Sequence, residues 1–255
     1  MSLALLQTWS LAKRDLMHFF RQRSRVIGAI GQPFVLWVFL DAGFRHTIAG
    51  GERYGAFLYP GVIMLIALFS AIFSTISLIE DRKSGFLQGV LVAPVSSGAL
   101  VAGKLVAGTV LALGQAALFL LLLPLAGVEV TVTGLLLGGA ALVLACLTLT
   151  GAGFTMAWRM RSTQGFHAIM NLVLVPAWML SGSFFPAESA VGWLQWIIAL
   201  NPMTYITTLF REAFLAGSAA ALPSTDAPTI ALALVVSLLT FAASTSMSLY
   251  TVRNR

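Results

Sequence analysis

The sequence predicts an all-α integral membrane protein with six transmembrane helices, and three observations support this. Hydrophobic residues make up 58% of the 255 residues and charged residues only 9%, whereas a soluble domain carries about 25% charged residues. The apolar residues form runs of roughly 20, the length that an α-helix needs to cross a bilayer. Lys and Arg lie in short clusters between these runs, as in proteins anchored in an anionic leaflet.

The charged residues delimit the six predicted spans, which belong to a single transmembrane domain over residues 1–255. Gln32, Pro33 and Asp41 interrupt the first span. The spans are residues 26–44, residues 56–79, and the runs between Lys104 and Glu129, between Glu129 and Arg159, between Arg161 and Glu188, and between Asp226 and Arg253.

Residues 1–25 precede the first span, and residues 3–20 predict an amphipathic helix that lies in the membrane interface. A solvated tail is the alternative. Lys13, Arg14 and Asp15 fall near one face of this helix. The apolar residues near the other face are Leu5, Leu6, Trp9, Ala12, Leu16, Phe19 and Phe20.

A further uncharged run, residues 189–210, predicts two short helices that enter the membrane from outside and turn back. Asn201-Pro202 near its middle favours a turn, and Trp193 and Trp196 suit the membrane interface. We expect this external re-entrant segment to occupy residues 186–215.

The distribution of Lys and Arg predicts that both termini lie in the cytoplasm. With six spans, twelve of these cations lie inside and three outside. A seventh crossing would give eleven against four. Because cytoplasmic loops carry the excess of Lys and Arg, the count favours six crossings.

The segment 80–99 after the second span is longer than a simple connection requires and predicts a cytoplasmic contact surface. Four consecutive charges, Glu80, Asp81, Arg82 and Lys83, precede Ser84 and Gly85. An amphipathic stretch beginning with Phe86 and Leu87 follows and ends at Pro94. We expect Asp81, Arg82 and Lys83 to supply charge complementarity, and Phe86 or Leu87 an apolar anchor.

The run Gly98-Ala-Leu-Val-Ala-Gly103-Lys104 resembles a phosphate-binding loop, but Leu105 stands where Ser or Thr should hold magnesium. A membrane span follows it, so we interpret Lys104 as a residue that snorkels to the cytoplasmic surface. No metal-binding set of His residues and no catalytic pair of carboxylates is evident in the sequence.

Several short motifs together resemble the type-2 permease family of ATP-binding-cassette (ABC) exporters. The motifs are Phe57-Leu-Tyr-Pro60-Gly61, Glu80-Asp81-Arg82-Lys83-Ser84-Gly85, Leu91-Val-Ala-Pro94, Gly103-Lys104, Ser181-Gly-Ser-Phe-Phe185-Pro186, Asn201-Pro202-Met-Thr-Tyr205 and Arg211. The resemblance implies that 80–99 is a coupling segment for a separate ATPase. It also implies that Phe185, Pro186, Asn201, Pro202, Tyr205 and Arg211 belong to an external re-entrant gate.

The same resemblance implies a transport subunit that is not itself an enzyme and binds no cofactor, with ATP and Mg²⁺ held by the partner ATPase. Two ATPase subunits and a second copy of the permease, or a homologous one, would complete the complex, together with membrane lipids and without nucleic acid. The implied location is the cell membrane, typically the bacterial inner membrane. The implied activity is ATP-driven export of a drug, lipid or lipid-linked glycan; an ATP-independent secondary transporter or channel is the alternative.

The spans carry few polar side chains that a translocation path could use, which favours an amphiphilic substrate. These residues are Gln32, Ser70, Ser74, Thr75, Ser77, Gln115, Thr148, Thr150 and Asn171.

Overall fold

Helices account for all the regular structure that the computed structural model describes, in residues 3–44, 54–185, 190–217 and 229–253. The all-α prediction is therefore confirmed. The helices are α1 (Leu3–Arg21), α2 (Arg23–Phe44), α3 (Tyr54–Lys83), α4 (Phe86–Val92), α5 (Ser97–Leu120), α6 (Leu123–Ala126), α7 (Val132–Arg159), α8 (Thr163–Trp178), α9 (Gly192–Leu200), α10 (Pro202–Phe214) and α11 (Ile230–Arg253).

Five helices within the described ranges are long and apolar enough to cross a membrane. They are Phe57–Lys83 of α3, then α5, α7, α8 continued through a π-helical turn to Ser183, and α11. The first predicted span corresponds to α2, which has 22 residues. Its length suits a crossing, and the count of six stays a prediction.

The centre of the bundle is α3, which is apolar on nearly every face because α2, α5, α7, α8 and α10 pack around it. A helix that is hydrophobic all round is expected to be buried in this way. Two glycines of α7, Gly134 and Gly138, bring α10 close to α7: a Cβ at Gly138 would lie 2.9 Å from the Cα of Phe214. This packing fixes the C-terminal end of α10.

The predicted N-terminal helix is present as α1, and its location in the membrane interface stays a prediction. The side that packs against α5 contains Ala12, Asp15 and Phe19, all buried. Much of the apolar surface points away from the bundle, with Trp9 56% and Phe20 63% exposed. Asp15, which the sequence places near the polar face of this helix, is buried because the buried Lys104 of α5 pairs with it.

Two short helices, α9 and α10, occupy the uncharged run that precedes α11. The side chain of Asn201 caps α10 by accepting a hydrogen bond from Met203 N at 3.0 Å, and Pro202 occupies the first turn, where no backbone donor is needed. At ~1.5 Å per residue the two helices reach about 14 and 20 Å, less than a ~30 Å hydrocarbon core.

Candidate coupling and gating sites

Two polar clusters lie near opposite ends of α3. One is built around Asp81 and the other around Gly61, so a rise of ~1.5 Å per residue separates them by about 30 Å, the thickness of a hydrocarbon core. We call the first the charge cluster; its members are Arg14, Asp15, Asp81 and Lys104. We call the second the turn network; its members are Gly61, Trp178, Ser181, Gly182, Ser183, Asn201, Thr204, Thr207 and Arg211.

The charge cluster centres on Lys104, which is only 4% exposed although its side chain is charged. Its Nζ lies 2.7 Å from Asp15 Oδ2 and 2.7 Å from Asp81 Oδ2. Nζ also donates to Ser77 Oγ at 3.1 Å. An ammonium group has three donors, and all three are used. This pairing corrects the snorkelling interpretation: two buried carboxylates hold Lys104 inside the protein.

The fourth member, Arg14, balances the cluster to two cations and two anions. Its Nη2 lies 2.5 Å from Asp81 Oδ1, and its Nη1 lies 3.1 Å from Asp15 Oδ1. Desolvation by burial lowers the pKa of Arg14, but the hydrogen bond to Asp81 and the two carboxylate charges raise it more, so its net pKa lies above the ordinary value. The cluster therefore ties α1, α3 and α5 together as a neutral unit.

The coupling segment is attached to this cluster and to α1. The guanidinium carbon of Arg14 lies 3.5 Å from the centroid of the Phe86 ring, a cation–π contact with the first residue of α4. Gln7 Nε2 donates to the carbonyl oxygen of Pro94 at 2.7 Å, at the far end of the segment. A displacement of α4 would therefore act on α1 through both ends.

The remaining predicted residues of this segment divide into enclosed and exposed groups. Leu87 is 1% exposed, and with the buried Asp81 it contacts this chain's own core. Arg82 donates to the carbonyl oxygens of Trp158 at 2.5 Å and Met160 at 2.9 Å, at the C-terminal end of α7. In this conformation, Asp81 and Leu87 are not free to contact a second protein.

The exposed surface of the segment is apolar at its tip. Val92 is 88% exposed and Leu91 38% exposed. Lys83, Ser84 and Gln88 are also exposed. Glu80 is partly buried in the last turns of α3, and Gly85 adopts a left-handed conformation, with φ of 78°, that reverses the chain between α3 and α4. Leu91 and Val92 are not among the predicted anchor residues, although both are apolar in the sequence.

The turn network closes the other end of α3 against the break after α8. Trp178 Nε1 donates to the carbonyl oxygen of Gly61 at 2.8 Å. A Cβ at Gly61 would lie only 2.6 Å from the carbonyl oxygen of Ser183. The Oγ of Ser181 donates to the carbonyl oxygen of Trp178 at 2.6 Å. These contacts supply partners for backbone groups that a broken helix leaves free.

Asn201 ties the α9–α10 break to α8. Its Nδ2 donates to the carbonyl oxygen of Ala177 at 2.6 Å. Thr204 Oγ1 donates to the carbonyl oxygen of Ile198 at 2.7 Å, and Tyr205 donates through its hydroxyl to the carbonyl oxygen of Ala199 at 2.8 Å. The break is therefore a fixed corner.

Arg211 connects this corner to α3. Its Nη2 donates to the carbonyl oxygen of Gly182 at 2.9 Å, and its guanidinium carbon lies 4.2 Å from the centroid of the Phe57 ring. Gly182 has a φ of 74°, which glycine tolerates. Phe185 contacts Phe184 edge-on, with ring centroids 6.2 Å apart. The predicted gate residue Pro186 lies outside the described residues.

A family model, described as ABC-2 type transporter, matches residues 6–215, a range that contains the charge cluster, the coupling segment and the turn network. The chain belongs to the ABC-2 type transporter family. It is similar to a transport permease named ycf38 from Cyanophora paradoxa, at 28% identity over 205 residues, covering 76% of this chain and 69% of that protein. It is also similar to a multidrug ABC transporter permease, YbhR, from Escherichia coli K12, at 25% identity, covering 64% of this chain and 44% of that protein.

Membership of the ABC-2 family identifies the chain as the membrane subunit of an ABC transporter. The several apolar helices make it a multi-pass membrane protein. ABC transport requires an ATP-binding partner subunit, which the family assignment implies. Within the described residues, no group of three or more His, Cys, Asp or Glu side chains could hold a metal ion.

Most of the polar residues that the sequence predicts for a translocation path are buried in this ABC-2 family member. Ser74 is partly exposed, and Gln32 and Asn171 are exposed. The buried ones are Ser70, Thr75, Ser77, Gln115, Thr148 and Thr150. These six pack between helices, so they do not line an open path within one chain in this conformation.

Proposed function

We propose that this chain is the permease subunit of an ABC exporter, which moves an amphiphilic substrate using ATP hydrolysed in a separate subunit. The observation that supports this most is the connection between the coupling segment and the bundle: Arg14 stacks on Phe86 and pairs with the buried Asp81. A force applied to α4 is thereby passed to α1, α3 and α5. An amphiphile in the class of drugs, lipids or lipid-linked glycans suits the few polar side chains of the spans.

The proposed docking surface for the ATPase is the exposed part of segment 80–99. Val92 and Leu91 would supply the apolar anchor and Lys83 a charge, because Leu87 is enclosed and Phe86 lies under Arg14. Buried apolar anchors typically dominate interface energies. The partner ATPase would bind ATP and Mg²⁺, and this chain would hydrolyse no ATP and bind no cofactor. Two ATPases and a second permease copy would complete the exporter.

The test is co-purification with the ATPase after Val92→Glu. We expect at least a tenfold loss of ATPase binding, since a hot-spot residue carries about 2 kcal/mol or more. Val132→Glu is the matched control, because Val132 is 77% exposed on a different helix, and it should bind normally. ATPase binding that is equal in both variants would reject the docking surface.

We also propose that the chain lies in the cell membrane with both termini in the cytoplasm, and that α9 and α10 face outside. Single cysteines at Ala190 and Thr208, in a Cys146→Ala background, test this with an impermeant thiol reagent. Both positions should react from outside. Labelling of Thr208→Cys from inside only would mean that the segment crosses and that the proposed orientation is wrong.

A further inference from the structure

Arg211 is a cation at the end of the bundle opposite the charge cluster. Its Nη2 donates to the carbonyl oxygen of Phe57 in α3 at 3.4 Å. Phe57 lies 24 positions before Asp81 in the same helix. At ~1.5 Å per residue this places the two about 36 Å apart, more than the ~30 Å thickness of a hydrocarbon core. Arg211 and the charge cluster therefore lie near opposite surfaces of the membrane.

The charge of Arg211 has no counter-ion among the described residues. In the charge cluster every cation is paired with Asp15 or Asp81, whereas Arg211 forms no ion pair in the part of the chain that the structure describes. Glu212, the next residue, is partly exposed and attracts the guanidinium only from a distance. A charge that is withdrawn from water without a counter-ion is costly. An anion beside Arg211 would remove that cost.

The guanidinium group of Arg211 also has unused hydrogen-bond donors. A guanidinium carries five N–H groups, and both hydrogen bonds that Arg211 makes with the described residues come from Nη2. The acceptors are the carbonyl oxygens of Gly182 at 2.9 Å and Phe57 at 3.4 Å. Nε is buried without a partner, and Nη1 has none within the described ranges. Phosphate and carboxylate oxygens are the acceptors that best match these donors.

Aromatic side chains surround this charged group. The guanidinium carbon lies 4.2 Å from the centroid of the Phe57 ring, and the chain bonded at Gly182 continues into Phe184 and Phe185. All three rings are partly exposed. Pockets for small molecules combine apolar and aromatic walls with a few polar groups in this way. A ligand that has both an anionic group and an apolar part can use the cation and the rings together, whereas a free inorganic anion uses only the cation.

We infer that Arg211 binds the anionic headgroup of the transported amphiphile, and that the substrate class therefore carries a phosphate or carboxylate group. The headgroup oxygens accept hydrogen bonds from the unused donors, while Nη2 keeps its bonds to the two carbonyl oxygens and the α9–α10 corner stays in place. The inference rests on the proposed function and deepens it, because an exporter moves its substrate toward the side on which Arg211 is proposed to lie. It narrows the substrate from any amphiphile to an anionic one.

Binding of two fluorescent probes to the purified full-length chain tests the assignment. The probes are labelled dodecyl phosphate and labelled dodecanol, which share a tail and differ in charge. Hydrogen bonds to a charged group predict that the parent chain binds the phosphate about tenfold more tightly or better. Arg211→Gln should bring the two dissociation constants together while dodecanol binding stays unchanged, and Arg211→Lys, which keeps the charge, should retain part of the preference. Arg161→Gln is the matched control, because Arg161 is exposed at the other end of the bundle, and it should keep the parental ratio.

A competition on the parent chain needs no variant at Arg211. Unlabelled dodecyl phosphate should displace its labelled form at concentrations at least about tenfold lower than inorganic phosphate does, because the alkyl tail adds apolar contact. Equal potency would indicate a site for a free anion and would overturn the inference.

Three further results would overturn it: equal binding of the two probes by the parent chain, an unchanged ratio in Arg211→Gln, and the same loss of preference in Arg161→Gln. ATPase binding and ATP-driven movement of a neutral amphiphile that stay normal alongside any of these would leave the proposed function standing, so the two failures are distinguishable.

Discussion

Replacing Lys104 by methionine removes the central cation of the charge cluster and leaves two carboxylates facing each other in a buried site. Asp15 and Asp81 each have an oxygen 2.7 Å from the ammonium group, and both are less than 10% exposed. Breaking a buried pair by deleting one partner costs about 3–5 kcal/mol, because the remaining charge is uncompensated. We expect Lys104→Met to lower the free energy of unfolding by that amount.

The double variant Lys104→Met/Asp15→Asn distinguishes charge imbalance from lost packing. It removes one cation and one anion, so Arg14 and Asp81 remain as a pair. We expect it to recover more than half of the lost stability, a coupling well above the ~0.5 kcal/mol seen for independent sites. Lys83→Met is the matched control, since Lys83 is exposed and surface changes usually stay within about 0.5 kcal/mol.

Equilibrium unfolding in detergent micelles, followed by the helical circular dichroism signal, measures all three variants. A free energy of unfolding for Lys104→Met within about 1 kcal/mol of the parent value, the contribution of one ordinary hydrogen bond, would contradict this expectation. A further loss of stability on adding Asp15→Asn would contradict it equally, because the uncompensated charge would then not be the cause of the loss.

The same unfolding assay tests the turn network. Gly61→Ala places a Cβ 2.6 Å from the carbonyl oxygen of Ser183 and should cost about 1–3 kcal/mol, whereas Gly114→Ala, with no atom within 4 Å of the added Cβ, should be neutral or slightly stabilising; equal stabilities would contradict the close approach. Asn201→Ala loses a helix cap and should cost about 1–2 kcal/mol. Arg211→Met should cost at least as much, roughly 1.5–3 kcal/mol for a charged hydrogen bond, and a stability equal to that of the parent would show that its carbonyl contacts contribute nothing.

The helices themselves could be predicted from the sequence because each depends on local signals. Long uncharged runs indicate the spans. In the run 189–210, Asn201 caps a helix and Pro202 lacks a backbone N–H, so the chain breaks there into α9 and α10. The predicted amphipathic stretch after Gly85 forms α4. These features need only the neighbours in the chain, so periodicity and turn chemistry suffice to find them.

The charge cluster could not be predicted in the same way, because its members meet only after folding. Asp15 and Lys104 are 89 positions apart, and a helical face indicates that Asp15 is polar but not what lies opposite it. The glycine just before Lys104 is a partial signal: a Cβ at Gly103 would lie 2.9 Å from Leu11 Cβ. A glycine beside Lys104 allows close approach of another helix, but the sequence does not indicate which helix that is.

ATP-driven transport by the reconstituted complex tests the central claim most directly. Proteoliposomes would contain this chain with its ATPase, and movement of a fluorescent lipid or drug would be followed with and without ATP. We predict movement that requires ATP and both subunits, that is lost with Val92→Glu, and that is accompanied by no ATP hydrolysis from this chain alone. Movement that continues without ATP, driven by an ion gradient, would contradict the account.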